Sequence, residues 1–135
     1  MTKFKFSQLS KNIKPFFIAE VGVNHEGSIF NAIKLIDAAV EGGASAVKFQ
    51  TYKAEKIAVK NSPYYWDIKK ESTKSQFDLF SKYDGFDFKQ YKILSKYCKK
   101  RKVEFLSTPF DLDAVDFLNP LMNLFKISSS DITNF

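Results

Sequence analysis

The stretch that decides the fold is FFIAEVGVNHEGSIFNAIKLIDAAVEGGASAVKFQ, at residues 16–50. It begins with a short apolar run between a proline and a glycine, which is typical of a buried strand. Ser28 is a natural N-cap for a helix over residues 29–41, in which apolar residues recur at helical spacing until two glycines end it. A second buried run follows at 44–50. The stretch therefore predicts a strand, a helix and a parallel strand.

The remainder of the chain repeats this alternation. Asp87 can cap a second long helix that runs to Lys100, and a third strand is predicted at 103–108. A short helix that Asp111 caps and a fourth strand at 124–128 complete the pattern. Each crossover must return the chain to the same end of the sheet. The sequence therefore predicts an α/β fold with about four parallel strands.

Two segments stand outside that pattern. Residues 1–14 are polar and lysine-rich, and we expect them to form an N-terminal arm to one domain at 15–135. Residues 51–74 are too long for a simple connector, and a short helix is predicted near 75–81. The aromatic cluster at 64–66 makes the long stretch a candidate functional loop over the strand ends.

Composition limits the class of protein. Apolar residues make up 44% and charged residues 27% of the chain, which is typical of a soluble globular domain. No apolar run approaches the roughly 18 residues of a membrane span, and the N-terminus lacks signal-peptide features, so we expect a cytoplasmic protein without a membrane partner. The net charge is +6, but Arg101 is the single arginine, which argues against nucleic acid. Cys98 is the single cysteine, so no intrachain disulfide can form.

Every predicted strand ends in polar side chains. They are Glu20, Lys48, Gln50, Ser107, Thr108, Lys126, Ser128 and Ser129. The carboxyl ends of parallel strands lie at one edge of a sheet, and ligands of α/β proteins bind there. Lysines and hydroxyl groups together suit a phosphate or a carboxylate. The sequence therefore predicts an anion-binding site at this edge.

Three candidate residues admit more than one interpretation. Glu20 suits a general acid or base, but it could instead be the structural ion-pair partner of Lys48 or Lys126. Lys48 could bind an anion, or it could form a Schiff base with a carbonyl substrate. His25 is the sole histidine. Without neighbouring Cys or Asp residues it is predicted to structure its loop and not to hold a metal.

Four motifs lie in register along the chain: IAEVGVNHEGS at 18–28, DAAVEGGASAVKFQT at 37–51, FLSTPFD at 105–111 and FKISSSDITN at 125–134. Their order and spacing resemble the N-terminal half of the sialic acid synthase family, which includes N-acetylneuraminate, legionaminate and pseudaminate synthases. The resemblance spans residues 15–135. It implies the N-terminal half of a TIM-type (β/α) barrel.

The resemblance also implies a reaction. Members of this family condense phosphoenolpyruvate with an N-acylated mannosamine-type sugar, and the products are a nine-carbon sialic-type acid and phosphate. The residues that the motifs assign to phosphoenolpyruvate are Lys48, Thr108, Lys126 and Ser129. Glu20, as the catalytic residue, and Gln50 would face the sugar and the reacting centre.

Some parts of the family's site are not supplied by this chain. The family's divalent metal, Mn²⁺ or Mg²⁺, is held by two histidines on later strands, and the chain ends before them. The family's C-terminal domain, which reaches into the site of a partner subunit, is also absent, although a full-length protein is expected to be a homodimer. We therefore expect the 135-residue chain to be inactive by itself. Two other functions remain open: a Schiff-base aldolase that uses Lys48, and a non-catalytic half-barrel.

Overall fold

The computed structural model describes residues 15–133 as three strands and five helices. In chain order they are β1 (Ile18–Gly22), α1 (Ile29–Glu41), β2 (Ala46–Thr51), α2 (Ala54–Ile57), α3 (Gln76–Tyr83), α4 (Phe88–Arg101), β3 (Glu104–Pro109) and α5 (Leu112–Leu118). The predicted α/β class is confirmed. The predicted arm at 1–14 lies outside the described residues.

The three strands form one parallel sheet with β2 in the centre. The register pairs Glu20 with Lys48 and Gln50 with Thr108. Helices join each strand to the next, because parallel neighbours need a long crossover. The carboxyl ends of all three strands therefore lie at a single edge of the sheet, and these paired residues approach that edge.

Local capping residues begin helices α1, α4 and α5. The Ser28 hydroxyl accepts a hydrogen bond from the Asn31 N–H at 3.3 Å. The side chains of Asp87 and Asp111 accept hydrogen bonds from backbone N–H groups in the first turns of α4 and α5. Such caps satisfy donors that a helix start leaves unpaired. The predicted starts of these three helices are confirmed.

The core lies between one face of the sheet and helices α1 and α4. Its buried side chains include Val47, Phe49 and Phe105 from the strands, Ile36 from α1 and Leu94 from α4. Fully burying an apolar side chain of this size contributes about 1.5–3 kcal/mol. This packing fixes which face of the sheet stays available for a site.

The prediction of a fourth strand at 124–128 is wrong. In the described part of the chain β3 pairs with β2 alone. The Ser107 N–H of β3 donates to the Met122 sulfur at 3.3 Å and not to a carbonyl of a fourth strand. Phe125 and Ile127 are 42% and 64% exposed. A strand depends on ladder hydrogen bonds and on cross-strand packing. Residues 124–128 have neither, so their apolar alternation does not produce a strand.

Candidate functional site

The two faces of the sheet carry different side chains. Successive residues of a strand point to opposite faces, and Val47, Phe49 and Phe105 point toward the helices. The register places four of the predicted site residues on the opposite face: Glu20, Lys48, Gln50 and Thr108. These four side chains come from three strands, and the sheet holds them at fixed spacing.

Glu20 and Lys48 form an ion pair between their Oε1 and Nζ atoms, across β1 and β2. The Lys48 side chain is only 10% exposed, whereas the Glu20 side chain is 61% exposed. Taking an ammonium out of water is costly unless an anion compensates it. The ion pair agrees with Glu20 as a structural partner of Lys48. The exposure of its carboxylate agrees with Glu20 as a general acid or base.

Gln50 lies where β1 and β2 end. Its amide nitrogen would be 3.7 Å from a Cβ added at Gly22, which has a φ of +56°. The Tyr91 hydroxyl donates to the Gln50 backbone oxygen at 2.7 Å, and burial raises the pKa of Tyr91 to about 12, so this hydroxyl remains a donor. Helix α4 thereby anchors the strand end that carries Gln50. Thr108, the partner of Gln50 on β3, is buried.

Ser107 does not share the face of Thr108. Its hydroxyl forms a 2.7 Å hydrogen bond with the Thr51 hydroxyl, and both side chains are buried. Including Ser107 among the site's polar groups was wrong, because neighbouring residues of a strand point to opposite faces. This pair satisfies two polar groups on the helix side of the sheet.

Lys126 and Ser129 lie in the irregular segment after α5, and both are exposed. The Lys126 ammonium donates to the carbonyl of the next residue. Lys126 also lines a cavity of about 470 Å³ with residues 109–111, which directly follow Thr108. In residues 15–133, no hydrogen bond or ion pair connects Lys126 or Ser129 to the four sheet residues. Lys126 therefore lies beside the end of β3, and no such bond fixes Ser129 there.

His25 organises the loop between β1 and α1. It is 1% exposed, its ring stacks on Phe86 at a centroid distance of 3.9 Å, and its Nδ1 accepts from the Gly27 N–H at 3.1 Å. A Cβ added at Gly85 would lie 3.7 Å from the Gly27 Cα, so two loops pack closely here. Burial lowers the pKa of His25 to about 4, which keeps the ring neutral at pH 7. The prediction that His25 structures its loop is confirmed.

The long stretch at 51–74 contains helix α2 and an exposed aromatic cluster. The Trp66 indole N–H donates to the Thr73 carbonyl at 3.1 Å. The Tyr65 ring packs edge-on against Trp66 at 5.2 Å, and Tyr65 is 77% exposed. Trp66 therefore orients an aromatic ring that stays accessible to solvent.

Tyr65 lines a cavity of about 500 Å³ between the long loop and the C-terminal segment. The cavity also contains Phe110, just past β3, and the polar side chains of Gln76 and Asp131. The sequence does not predict Gln76 or Asp131 as site residues, because no local pattern indicates which distant loops meet. The aromatic cluster was the one signal that pointed to this part of the surface.

Metal-ligating chemistry is not assembled within residues 15–133. No group of three or more His, Cys, Asp or Glu side chains there could hold a metal ion. Cys98 is a buried free thiol in α4, and burial raises its pKa to about 12, so it does not act as a thiolate ligand at neutral pH. None of the helices in this described part is long and apolar enough to cross a membrane.

Comparison with known proteins decides the family. A sequence profile of the NeuB family matches residues 35–135. The chain belongs to the NeuB family. The N,N'-diacetyllegionaminic acid synthase of Campylobacter jejuni is 44% identical over 124 residues, which cover 90% of this chain and 37% of that protein. The N-acetylneuraminate-9-phosphate synthase of Mus musculus is 34% identical over 125 residues, which cover 89% and 34%. The predicted resemblance to sialic acid synthases is confirmed.

A solved NeuB-type structure agrees with this fold. The N-acetylneuraminic acid (sialic acid) synthetase of Leptospira borgpetersenii, in complex with citrate, matches with a TM-score of 0.73 and 33% sequence identity. The match covers 88% of this chain and 38% of that chain. This NeuB-family chain spans about a third of the length of the curated relatives that it matches.

Proposed function

We propose that this chain contributes to a NeuB-family enzyme that condenses phosphoenolpyruvate with an N-acylmannosamine-type sugar, giving a sialic-type acid and phosphate. The observation that carries the proposal is the little-exposed Lys48 ammonium paired with Glu20, with Gln50 and Thr108 on the same face of the sheet. The similar synthases of Campylobacter jejuni and Mus musculus support this class of reaction.

Lys48 and Thr108 are proposed to hold the anionic groups of phosphoenolpyruvate. Both residues are buried, and charge-assisted hydrogen bonds gain strength where water is scarce. Lys126 lies beside the end of β3 and can supply a second ammonium. Ser129, three residues further, is proposed to complete the ligand set with its hydroxyl.

Glu20 and Gln50 are proposed to face the sugar and the reacting centre. The Glu20 carboxylate is mostly exposed, so it can reach a bound hydroxyl and act as a general acid or base. The Gln50 amide offers an acceptor and two donors to sugar hydroxyl or amide groups. The Tyr65 ring, at the neighbouring cavity, offers an electron-rich face to the C–H groups of a sugar.

The divalent metal of the proposed reaction, Mn²⁺ or Mg²⁺, does not fit the described residues of this chain. His25 is the sole histidine of the sequence, and although its buried Nε2 has no hydrogen-bond partner, it belongs to no group of three or more His, Cys, Asp or Glu side chains within residues 15–133. We therefore assign the metal ligands to a part of the family protein that this chain does not include.

We also propose that residues 15–135 form the N-terminal half of a TIM-type (β/α) barrel, with residues 1–14 as an arm. The support is the sequential, parallel order of the strands and the helical crossovers between them. A barrel needs strands on both sides of this sheet, so this half of the inner layer carries the proposed anion-binding residues but not the rest of the catalytic site. The isolated chain is then inactive, and the complete enzyme is a cytoplasmic homodimer.

A chimera tests the proposed reaction. Residues of this chain replace the matched residues of the C. jejuni synthase, and phosphate release from phosphoenolpyruvate is measured with several N-acylmannosamine-type sugars. We expect sugar-dependent phosphate release. Lys48→Gln is expected to reduce its rate on the order of 100-fold or more, because the site loses a charged ligand. Lys34→Gln, at an exposed site on α1, is the matched control and leaves the rate unchanged. An active chimera that tolerates Lys48→Gln contradicts the proposal.

A Schiff-base aldolase is the second candidate, because a little-exposed lysine on a strand can serve as its nucleophile. That chemistry needs a neutral amine, whereas Lys48 is ion-paired with Glu20. Borohydride reduction in the presence of pyruvate, followed by mass spectrometry, separates the two functions. The proposed synthase acquires no adduct on Lys48, and a stable adduct at that residue supports the aldolase instead.

A further inference from the structure

The outer surface of helix α4 carries an unusual concentration of positive charge. The helix reads FKQYKILSKYCKKR, with six cationic residues and no acidic residue. Five exposed lysines, called here the α4 lysine stripe, are Lys89, Lys92, Lys96, Lys99 and Lys100. The other long helix, α1, carries one lysine among two acidic residues, so this segregation of charge is a local feature of α4.

The stripe lies on one side of the helix. At 3.6 residues per turn, its five lysines fall within a sector of about 100° and extend over roughly 16 Å. The buried residues Tyr91, Leu94 and Cys98 fall on the opposite side, against the core. The stripe therefore faces solvent, and of its five lysines Lys92 also has its ammonium 5.9 Å from the centroid of the Phe117 ring of α5.

The stripe has no carboxylate partner within the described residues, although Lys99 and Lys100 lie in the last turn of α4, where the helix dipole favours cations. None of the five lysines forms an ion pair there, whereas Arg101 at the helix end pairs with Asp37 at 2.7 Å. Like charges three or four residues apart on a helix destabilise it by roughly 0.2–0.5 kcal/mol per pair. An external polyanion relieves this repulsion, because it supplies the counter-charges that the chain lacks.

We propose that the α4 lysine stripe is a docking surface for an anionic lipid bilayer. The five lysines lie on one exposed side of a helix, so they can contact a planar array of headgroup phosphates at the same time. Ile93 lies beside the stripe and is 49% exposed, so it can enter the headgroup region, where an apolar side chain is stabilised. The stripe contains lysines and no arginine. Lysine binds headgroup phosphates as a point charge, whereas nucleic-acid recognition favours arginine.

The proposal is independent of the enzyme's reaction. The sequence led us to expect no membrane partner. We propose instead that the chain binds the surface of a bilayer without spanning it. The cytoplasmic leaflet carries anionic lipids, and each lysine near it contributes about fivefold to the binding constant at physiological salt. Five lysines on one face are sufficient for reversible binding.

Vesicle co-sedimentation of the 135-residue chain tests the proposal. Vesicles of phosphatidylcholine are compared with vesicles in which about a third of the lipid is phosphatidylglycerol. We expect binding only to the anionic vesicles and progressive loss as salt rises from about 0.05 to 0.5 M. The triple variant Lys92→Gln, Lys96→Gln and Lys100→Gln is expected to bind on the order of 100-fold more weakly. Glutamine keeps helix propensity, and circular dichroism verifies the fold.

The matched control removes three exposed lysines from the long loop, Lys60→Gln, Lys69→Gln and Lys70→Gln, and has the same net charge as the stripe variant. We expect its binding to stay within about threefold of the unmodified chain, because these three lysines lie outside α4 and its lysine stripe. Equal losses in both triple variants show that net charge alone drives binding and overturn the proposal. Binding to duplex DNA without binding to anionic vesicles also overturns it.

Discussion

Glu20 and Lys48 are register partners on neighbouring parallel strands, and their side chains form an ion pair with very unequal exposure. The lysine is nearly covered, and the carboxylate is mostly open to solvent. A pair with one exposed end gains little net stability, because water screens the exposed charge. The arrangement keeps a cation in place at the strand ends while leaving its anion available to other groups.

A double-mutant cycle distinguishes a site from a structural salt bridge. Glu20→Gln, Lys48→Met and the double variant are compared by urea unfolding at about 0.15 M salt. We expect a coupling energy below about 1 kcal/mol, since the Glu20 end is exposed. A coupling energy of about 3 kcal/mol or more is expected for a fully buried structural pair. That value would contradict the assignment of Glu20 and Lys48 to a functional site.

His25 is expected to make the chain less stable in mild acid. Burial lowers its pKa from 6.5 to about 4 in the folded chain. The unfolded chain therefore takes up a proton near pH 6.5, whereas the folded chain does so only near pH 4. The contribution of His25 is complete above pH 6.5 and is lost as the pH falls to 4, by roughly 3 kcal/mol. Urea unfolding across this pH range measures the loss.

His25→Phe is the control for that pH dependence. It keeps the aromatic stack on Phe86 and removes the titrating group, although the Gly27 N–H loses its acceptor. The variant is expected to be less stable at pH 7 but to lose less stability between pH 6.5 and 4. Carboxyl groups titrate in both proteins, so the difference between the two curves isolates His25. Identical slopes would mean that the ring is not buried as described.

Cys98 is expected to resist thiol reagents until the chain unfolds. Its side chain is fully buried, and its pKa is raised to about 12 because burial disfavours the thiolate. Since the thiolate is the reactive form, labelling at pH 8 should be at least about 100-fold slower in native buffer than in denaturant. Ellman's reagent gives both rates. Equal rates in the two solutions rule out the buried position of Cys98.

Tyr65 is expected to contribute to sugar binding through its exposed ring. Trp66 is the sole tryptophan of the chain and packs against Tyr65, so its fluorescence reports on this cavity. We expect N-acetylmannosamine to change the Trp66 emission, and Tyr65→Ala to weaken the response about threefold to tenfold, the usual range for one aromatic contact. Tyr64→Ala alters an aromatic neighbour that does not line the cavity, and its titration should match that of the unmodified chain. Equal effects of the two variants contradict a specific role for Tyr65.

Helices α1, α4 and α5 could be predicted almost to the residue, because their starts depend on local chemistry. Ser28, Asp87 and Asp111 each accept a hydrogen bond from a backbone N–H within three residues. Helix α2 was missed for the same reason, since its N-cap, Lys53, makes no side-chain capping bond. It is held by distant groups instead, including the Asp84 carboxylate that accepts from the Ala54 N–H at 3.0 Å.

The strands and the site could be predicted only in part, because they depend on pairing between distant residues. The apolar runs of β1, β2 and β3 find partners in one sheet, whereas residues 124–128 find none. The two-residue period of a strand is sufficient by itself to put Ser107 and Thr108 on opposite faces. The meeting of Gln76 with Asp131 in one cavity, in contrast, has no local signature in the sequence.

The most direct test of the central claim is the binding of phosphoenolpyruvate to the purified chain, measured by isothermal titration calorimetry. We predict measurable affinity that falls roughly tenfold or more in Lys48→Gln, because a charged hydrogen-bond partner is lost, and that is unchanged in Lys34→Gln. Circular dichroism establishes that both variants are folded. Equal affinity in the unmodified chain and a folded Lys48→Gln variant, or no binding by any of the three, would contradict the assignment of this strand edge as the anion site.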